Sequence, residues 1–254
     1  MTYFVITAVA PLRSEPRHQS EMISQLLFGE LAARLEEKGD FVRIRCLYDQ
    51  YEGWCQRKQL ALLNGGTYPF DTRVVSGTYT MANVNGTMAR LSPGSICAVG
   101  ENLGPVRIGP YTVSFENLPK VPETDGPKGG LVKSTGMQFL GTPYLWGGKS
   151  LYGIDCSGLV QTVYKVAGIA LPRDSGPQSQ QGSVVNLLQE AQAGDLAFFD
   201  NEEGQIVHVG VLLGPESILH ASASVRVDPI DNYGIVQAQE GDRTHRLRII
   251  KRIF

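Results

Sequence analysis

Along the 254-residue chain the spacing of apolar positions changes character part-way. In the first half, short apolar runs alternate with polar residues at the two-residue period of half-buried strands, predicting strands over residues 3–8, 25–27, 31–35, 41–46 and 53–56. Several short strands at close spacing imply a small β-barrel, assigned to residues 1–66. Asn64-Gly65-Gly66 marks a break, and residues 68–121 form a second β-rich stretch with turn signals at Asn85-Gly86, Pro93-Gly94 and Gly109-Pro110. By length and position this is a second, diverged barrel over 67–126, and the Pro, Gly, Asp and Lys packed into 122–130 read as a linker.

From residue 127 to 254 helix-period stretches appear ahead of strands. Residues 131–140 form one candidate helix. Residues 155–167 form a better one, with Asp155 as N-cap, Leu159, Val160, Val163 and Tyr164 on one face, and Gly168 where a C-terminal stop belongs. Strands are expected at 195–199, 206–213, 217–222 and 247–253, so the domain is α+β with an antiparallel sheet following the helices.

Composition narrows the partners. Hydrophobic residues make up 42% and charged residues 19%, an ordinary globular balance. The net charge is −2 with Lys and Arg dispersed, so no basic stripe exists to neutralise a phosphate backbone, and nucleic acid is not an expected partner. No apolar run is long enough to span a bilayer. Residues 4–12 are apolar, but no Lys or Arg precedes them and no small-residue cleavage site follows before Arg13, so they are expected to form a first strand. The expected location is then the cytoplasm, or the periplasm or exterior had a leader been removed. Cys46, Cys55, Cys97 and Cys156 show no CxxC pair and no clustering with the four histidines, so neither metal nor cofactor is implied. The first three are expected to be buried free thiols, a Cys46–Cys55 bridge being conceivable in an oxidising compartment.

Two residue types carry candidate chemistry. Cys156, one residue after the Asp155 cap, would lie in the first helical turn, where unpaired N–H groups and the helix dipole favour a thiolate. A lone cysteine is ordinarily a small buried hydrophobe, but the polar Asp155 and Ser157 and the small Gly158 around this one mark a site. His208 is the candidate base: Val207, Val209 and Val211 define one strand face, so His208 points from the other. An odd-length hairpin loop at Gly214-Pro215-Glu216 would set Gly210 opposite His220, bringing both imidazoles to one face so that His220 orients His208; a two-residue loop would separate them. His18 and His245 lie in polar surroundings and are expected to be solvated.

Phe139-Leu140-Gly141-Thr142-Pro143-Tyr144-Leu145-Trp146-Gly147-Gly148, then Gly153-Ile154-Asp155-Cys156-Ser157-Gly158-Leu159-Val160, then Gly194-Asp195-Leu196-Ala197-Phe198-Phe199, His208-Val209-Gly210 and His220-Ala221 together resemble the NlpC/P60 family of cell-wall cysteine peptidases. The resemblance covers about the last half of the chain. It implies a papain-like α+β core, a Cys156, His208, His220 triad, and cleavage between γ-D-glutamate and diaminopimelate or lysine in peptidoglycan stem peptides. It also implies that Tyr144 and Trp146 lie beside the nucleophile, that Asp155 and Ser157 contact substrate, and that Arg173-Asp174-Ser175 lines the groove. Core packing for the aromatics and a plain polar loop for 173–175 stand as alternatives.

Lys38-Gly39-Asp40-Phe41-Val42-Arg43-Ile44 and Tyr51-Glu52-Gly53-Trp54-Cys55, following Leu12-Arg13-Ser14 and residues 21–30, resemble bacterial SH3 domains. Two SH3-like barrels ahead of an NlpC/P60 domain resemble the dipeptidyl enzymes that release L-Ala-γ-D-Glu from peptides with a free N-terminal alanine. On that reading Asp174, or failing it Glu52, receives the ammonium, and soluble wall fragments are recycled by a monomer. The other readings are a different cell-wall amidase or acyltransferase, and a non-catalytic wall-binding adaptor.

Overall fold

The computed structural model describes residues 1–63, 68, 70–118, 128–236 and 242–254. The expected break at 64–66, both expected domain boundaries and residues 122–127 of the expected linker lie outside the described residues. The chain divides into two compact units, Met1–Pro122 and Glu123–Phe254.

In the first unit, β1 (Thr2–Val5), β2 (Val9–Arg13), β3 (Met22–Leu27), β4 (Leu31–Lys38), β5 (Phe41–Cys46), β6 (Glu52–Gln56) and β7 (Leu60–Leu63) form an antiparallel sheet in the order β3-β2-β6-β5-β4-β1-β7. The strand expected over 3–8 stops at Val5, with β2 beginning only at Val9, and β7 was not anticipated. Val5, Leu12, Leu26, Val42, Ile44 and Cys55 alternate into one core, the period-two burial the sequence pattern carried. Then β8 (Asp71–Val74), β9 (Met81–Val84), β10 (Thr87–Arg90), β11 (Ile96–Val99), β12 (Val106–Ile108) and β13 (Tyr111–Glu116) form a four-stranded sheet, β10-β9-β13-β12, and a β8–β11 pair. Phe4, Phe28 and Leu63 from the first strand set bury against Val75, Leu91 and Val113 from the second, so the two sets share a core.

The second unit opens with α1 (Lys128–Met137), which starts three residues earlier than its apolar pattern suggested and takes in the end of the expected linker. The hairpin of β14 (Lys149–Ser150) and β15 (Gly153–Ile154) leads into α2 (Cys156–Val166), then α3 (Ser175–Ser179). The strands are β16 (Ser183–Val185), β17 (Leu196–Asp200), β18 (Ile206–Gly214), β19 (Ser217–Ser222), β20 (Ser224–Asp231), β21 (Gly234–Val236) and β22 (Arg243–Arg252). Their order is β16-β22-β17-β18-β19-β20-β21, and a further β21–β22 pairing closes six of them into a barrel. Three of the strands, β16, β20 and β21, were not anticipated.

Alternation along these strands sorts the side chains into two layers. Leu196, Phe198, Val209, Val211 and Leu219 pack with Leu159, Val160, Val163 and Tyr164 of α2, whereas Ala197, Phe199, Leu212, Ile218, Ile230 and Ile250 form a separate cluster on the other face. His208, two residues from Gly210 and four from Leu212, belongs by parity to that second face, as does His220 beside Ile218. α2 packs on the Val209 and Val211 side of β18, and the start of that helix meets the β18 backbone next to His208.

Candidate active site

The nucleophile candidate is placed by helix capping. Asp155, in extended conformation at φ −96°, accepts a 2.7 Å hydrogen bond from the Gly158 N–H, which starts α2 at Cys156. A side chain at Gly158 would collide with the Gly148 carbonyl, since a Cβ there would stand 2.1 Å from that oxygen. Asp155 does more than cap: it also accepts from the Gly147 N–H at 2.8 Å and from Ser157 Oγ at 3.2 Å, and both of its oxygens accept from the Arg173 guanidinium, at 2.5 and 3.0 Å. Arg173 donates a further 2.9 Å bond to Ser157 Oγ. All three side chains are buried.

Asp155 and Ser157 were expected to touch substrate; their side chains also form a buried clamp on Arg173 that holds the start of the helix. Arg173, read as part of a groove-lining motif, is buried in that clamp. Asp174, next to it, is exposed, and Ser175 opens α3 half-buried. Gln178 of α3 donates to the Ser157 carbonyl at 3.1 Å, tying that short helix to the first turn of α2.

Cys156 itself is buried, and the backbone N–H groups of Val209 and Ser157 hydrogen-bond its sulfur. The first of these puts the thiol beside the backbone of β18, one residue from His208. The expected lowering of the thiol pKa is overturned: burial, reinforced by the Asp155 carboxylate, outweighs the N–H donors and Arg173 and pushes it up to about 11. Tyr144 bridges to Ile154 and feels the charges of Cys156 and Asp155; burial first and those charges second push its hydroxyl up to about 12. Trp146 is 63% exposed, which excludes core packing for it. Glu52 lies in the first unit, on β6, where Arg43 and Arg45 bind its carboxylate at 2.7–2.9 Å and hold its pKa down.

The hairpin register settles the histidine pair. Gly210 lies opposite His220, with an irregularity between Leu212 and Gly214 that makes the count odd. His208 Nε2 and His220 Nδ1 lie 2.9 Å apart. Gly210 makes room for this diagonal contact, because a Cβ on it would stand 2.9 Å from the His220 Cβ. His220 Nε2 in turn lies 2.9 Å from Asp228 Oδ2, and Arg226 grips the same carboxylate at 2.7 and 3.0 Å.

Three contributors were not legible. Asp228 and Arg226 sit on β20, a strand hidden by Pro229 and by its polar residues. His245, expected to be solvated, is half-buried and stacks on His208 with ring centroids 4.2 Å apart. Register shifts on both sides of Phe199, against β18 and against β22, accompany this approach. Burial, then neighbouring His245 and His220, lower the pKa of His208 well below 6.5, and burial likewise lowers His220.

Cys156 thus starts a helix with its sulfur on the β18 backbone next to His208, which is paired with His220. The NlpC/P60 family profile matches residues 141–243, and the profile of the bacterial dipeptidyl-peptidase SH3 domain matches residues 12–60. A peptidoglycan endopeptidase, RipB, of Mycobacterium tuberculosis is 31% identical over 195 residues, covering 69% of this chain and 79% of its own. The chain belongs to the NlpC/P60 family. Among family relatives, a gamma-D-glutamyl-L-lysine dipeptidyl-peptidase of Bacillus cereus is 42% identical over 117 residues, 44% of this chain. That alignment spans only 35% of the relative's own length. The dipeptidyl-peptidase 6 of Lysinibacillus sphaericus is 26% identical over 269 residues, covering 91% of this chain and 92% of the relative. The crystal structure of an NlpC/P60 family protein from Bacillus cereus superposes with a TM-score of 0.80 at 23% identity, covering 100% of this chain and 99% of that one, which shows a shared fold.

Proposed function

We propose that this NlpC/P60 protein is a cysteine peptidase that hydrolyses the γ-D-glutamyl–diamino acid bond of peptidoglycan-derived peptides and releases L-Ala-γ-D-Glu from those with a free N-terminal alanine. What supports the reaction class is that the Cys156 sulfur is hydrogen-bonded by the N–H of Val209, the residue next to His208, and that His208 is paired with His220. The names of the dipeptidyl-peptidase relatives support the substrate.

With the thiol raised and His208 lowered, the resting pair is neutral. Attack therefore couples proton transfer to bond formation: the sulfur adds to the amide carbonyl as its proton passes to His208. The Cys156 backbone N–H at the start of α2 receives the developing oxyanion, those of Ser157 and Gly158 being bonded to the sulfur and to Asp155. The His208 imidazolium then protonates the leaving amine as the C–N bond breaks, and a thioester remains on Cys156. Water, deprotonated by His208, hydrolyses the thioester and restores the thiol. Asp174, exposed at the start of α3, is the carboxylate assigned to the substrate ammonium.

The test is turnover, read by mass spectrometry, of L-Ala-γ-D-Glu-L-lysine and its diaminopimelate counterpart against the same peptides N-acetylated and against whole sacculi. Release of the dipeptide from the free peptides alone is expected. Equal turnover of all substrates would remove the dipeptidyl reading.

A further inference from the structure

We propose that Asp228, two hydrogen bonds removed from His208, decides which nitrogen of His208 carries the proton, acting as a positioning residue through His220. The inference rests on the peptidase reading only for its kinetic consequence. An ionised carboxylate accepts hydrogen bonds and donates none, so the argument starts from the charge state of Asp228. Burial alone would raise its pKa, but hydrogen bonds from Arg226 and His220 outweigh burial and hold it below the usual carboxylate value. Arg226 occupies it at two points, Nε to Oδ2 at 2.7 Å and Nη2 to Oδ1 at 3.0 Å.

Across the 2.9 Å contact to Asp228 Oδ2, His220 Nε2 must then be the donor. A neutral imidazole with hydrogen on Nε2 presents a lone pair at Nδ1. That Nδ1 lies 2.9 Å from His208 Nε2, so His208 donates from Nε2, and its own Nδ1 is left bare. The bare nitrogen is the one able to take a proton from the thiol. Without Asp228 the chain of donors can reverse. His220 would then donate from Nδ1, His208 Nε2 would accept, and the His208 hydrogen would move to Nδ1 and block the base. Asp228 selects the productive one of these two arrangements, and Arg226 holds Asp228 in the conformation that makes the selection.

Ring-nitrogen NMR correlation spectra of the whole chain with isotope-labelled histidine, recorded at neutral pH without substrate, read the tautomers directly. Both His208 and His220 are expected as the Nε2–H form. Asp228→Ala should populate the Nδ1–H form of His208 and lower kcat by at least about tenfold while KM stays within about twofold. Asp228→Asn, whose amide oxygen can still accept from His220, should retain more of both properties. An Nδ1–H form of His208 in the unaltered protein would overturn the proposal even if the variants did not fold, and so would an Asp228→Ala variant with unchanged tautomers and kcat. An unaltered chain with the stated tautomers but no turnover would count against the peptidase reading and support the assignment of Asp228.

Discussion

His208 Nε2 and His220 Nδ1 are 2.9 Å apart across a hairpin whose register puts Gly210, not a bulkier residue, opposite His220. The pair therefore depends on a residue with no chemistry of its own. Gly210→Ala places a methyl 2.9 Å from the His220 Cβ and 2.7 Å from Ile218 Cδ1, inside van der Waals contact. The expected outcome is separation of the two rings and a fall in kcat of about tenfold or more, with KM little changed, measured by steady-state kinetics. Full activity in Gly210→Ala would show that the ring contact does not matter.

The stacking of His245 on His208, centroids 4.2 Å apart, makes a second prediction. Removing the ring in His245→Ala should cost about two- to tenfold in kcat, the equivalent of ~0.5–1.5 kcal/mol of ring packing, and His245→Phe should restore most of it. Loss of activity in both variants would assign His245 a polar role instead.

Acid stability follows from the same cluster. His208 faces His220 from β19, with Asp228 and Arg226 behind it on β20, and His245 from β22, while the Cys156 thiol of α2 meets the backbone of the next residue, Val209. His208, His220 and His245 are all lowered from 6.5, His245 to about 4, with burial the leading cause in each. A buried base with a lowered pKa binds its proton more readily when unfolded, so the unfolded state gains as pH falls. Tm should accordingly decline from pH 6.5 to about 4, and His245→Phe should flatten that decline. Ionised Asp228 acts in the same direction at lower pH: its lowered pKa adds stability that persists above 3.8 and is lost only below it.

Arg173 separates a structural clamp from a substrate contact. Its guanidinium is buried against Asp155, with side-chain exposures of 2% and 7%. Arg173→Ala leaves a buried carboxylate uncompensated, and the expected loss is about 3–5 kcal/mol of unfolding free energy, read by denaturant titration. A variant of unchanged stability with a raised KM would return Arg173 to the substrate groove.

The parts of this architecture that follow short periods were legible in the sequence. β5 and β19 fall on the expected residues, and the Asp155 cap and α2 match their pattern within a residue or two. What escaped depends on tertiary context. Asp228 occupies a buried position on a strand that carries Pro229, so neither hydrophobic alternation nor charge announces it. His245 is carried to His208 by register shifts flanking Phe199, which no local signal encodes. The thiol pKa was misjudged because capping geometry is local, while the desolvation that raises it comes from the packed strand above.

The measurement closest to the central claim is intact-protein mass spectrometry of rapidly quenched reactions, run beside Cys156→Ala. The account predicts a thioester adduct of mass matching L-Ala-γ-D-Glu, mapped to the peptide bearing Cys156, and no hydrolysis by Cys156→Ala although it still binds the peptide. Cleavage at the unaltered rate by Cys156→Ala, or an adduct on another residue, would contradict it.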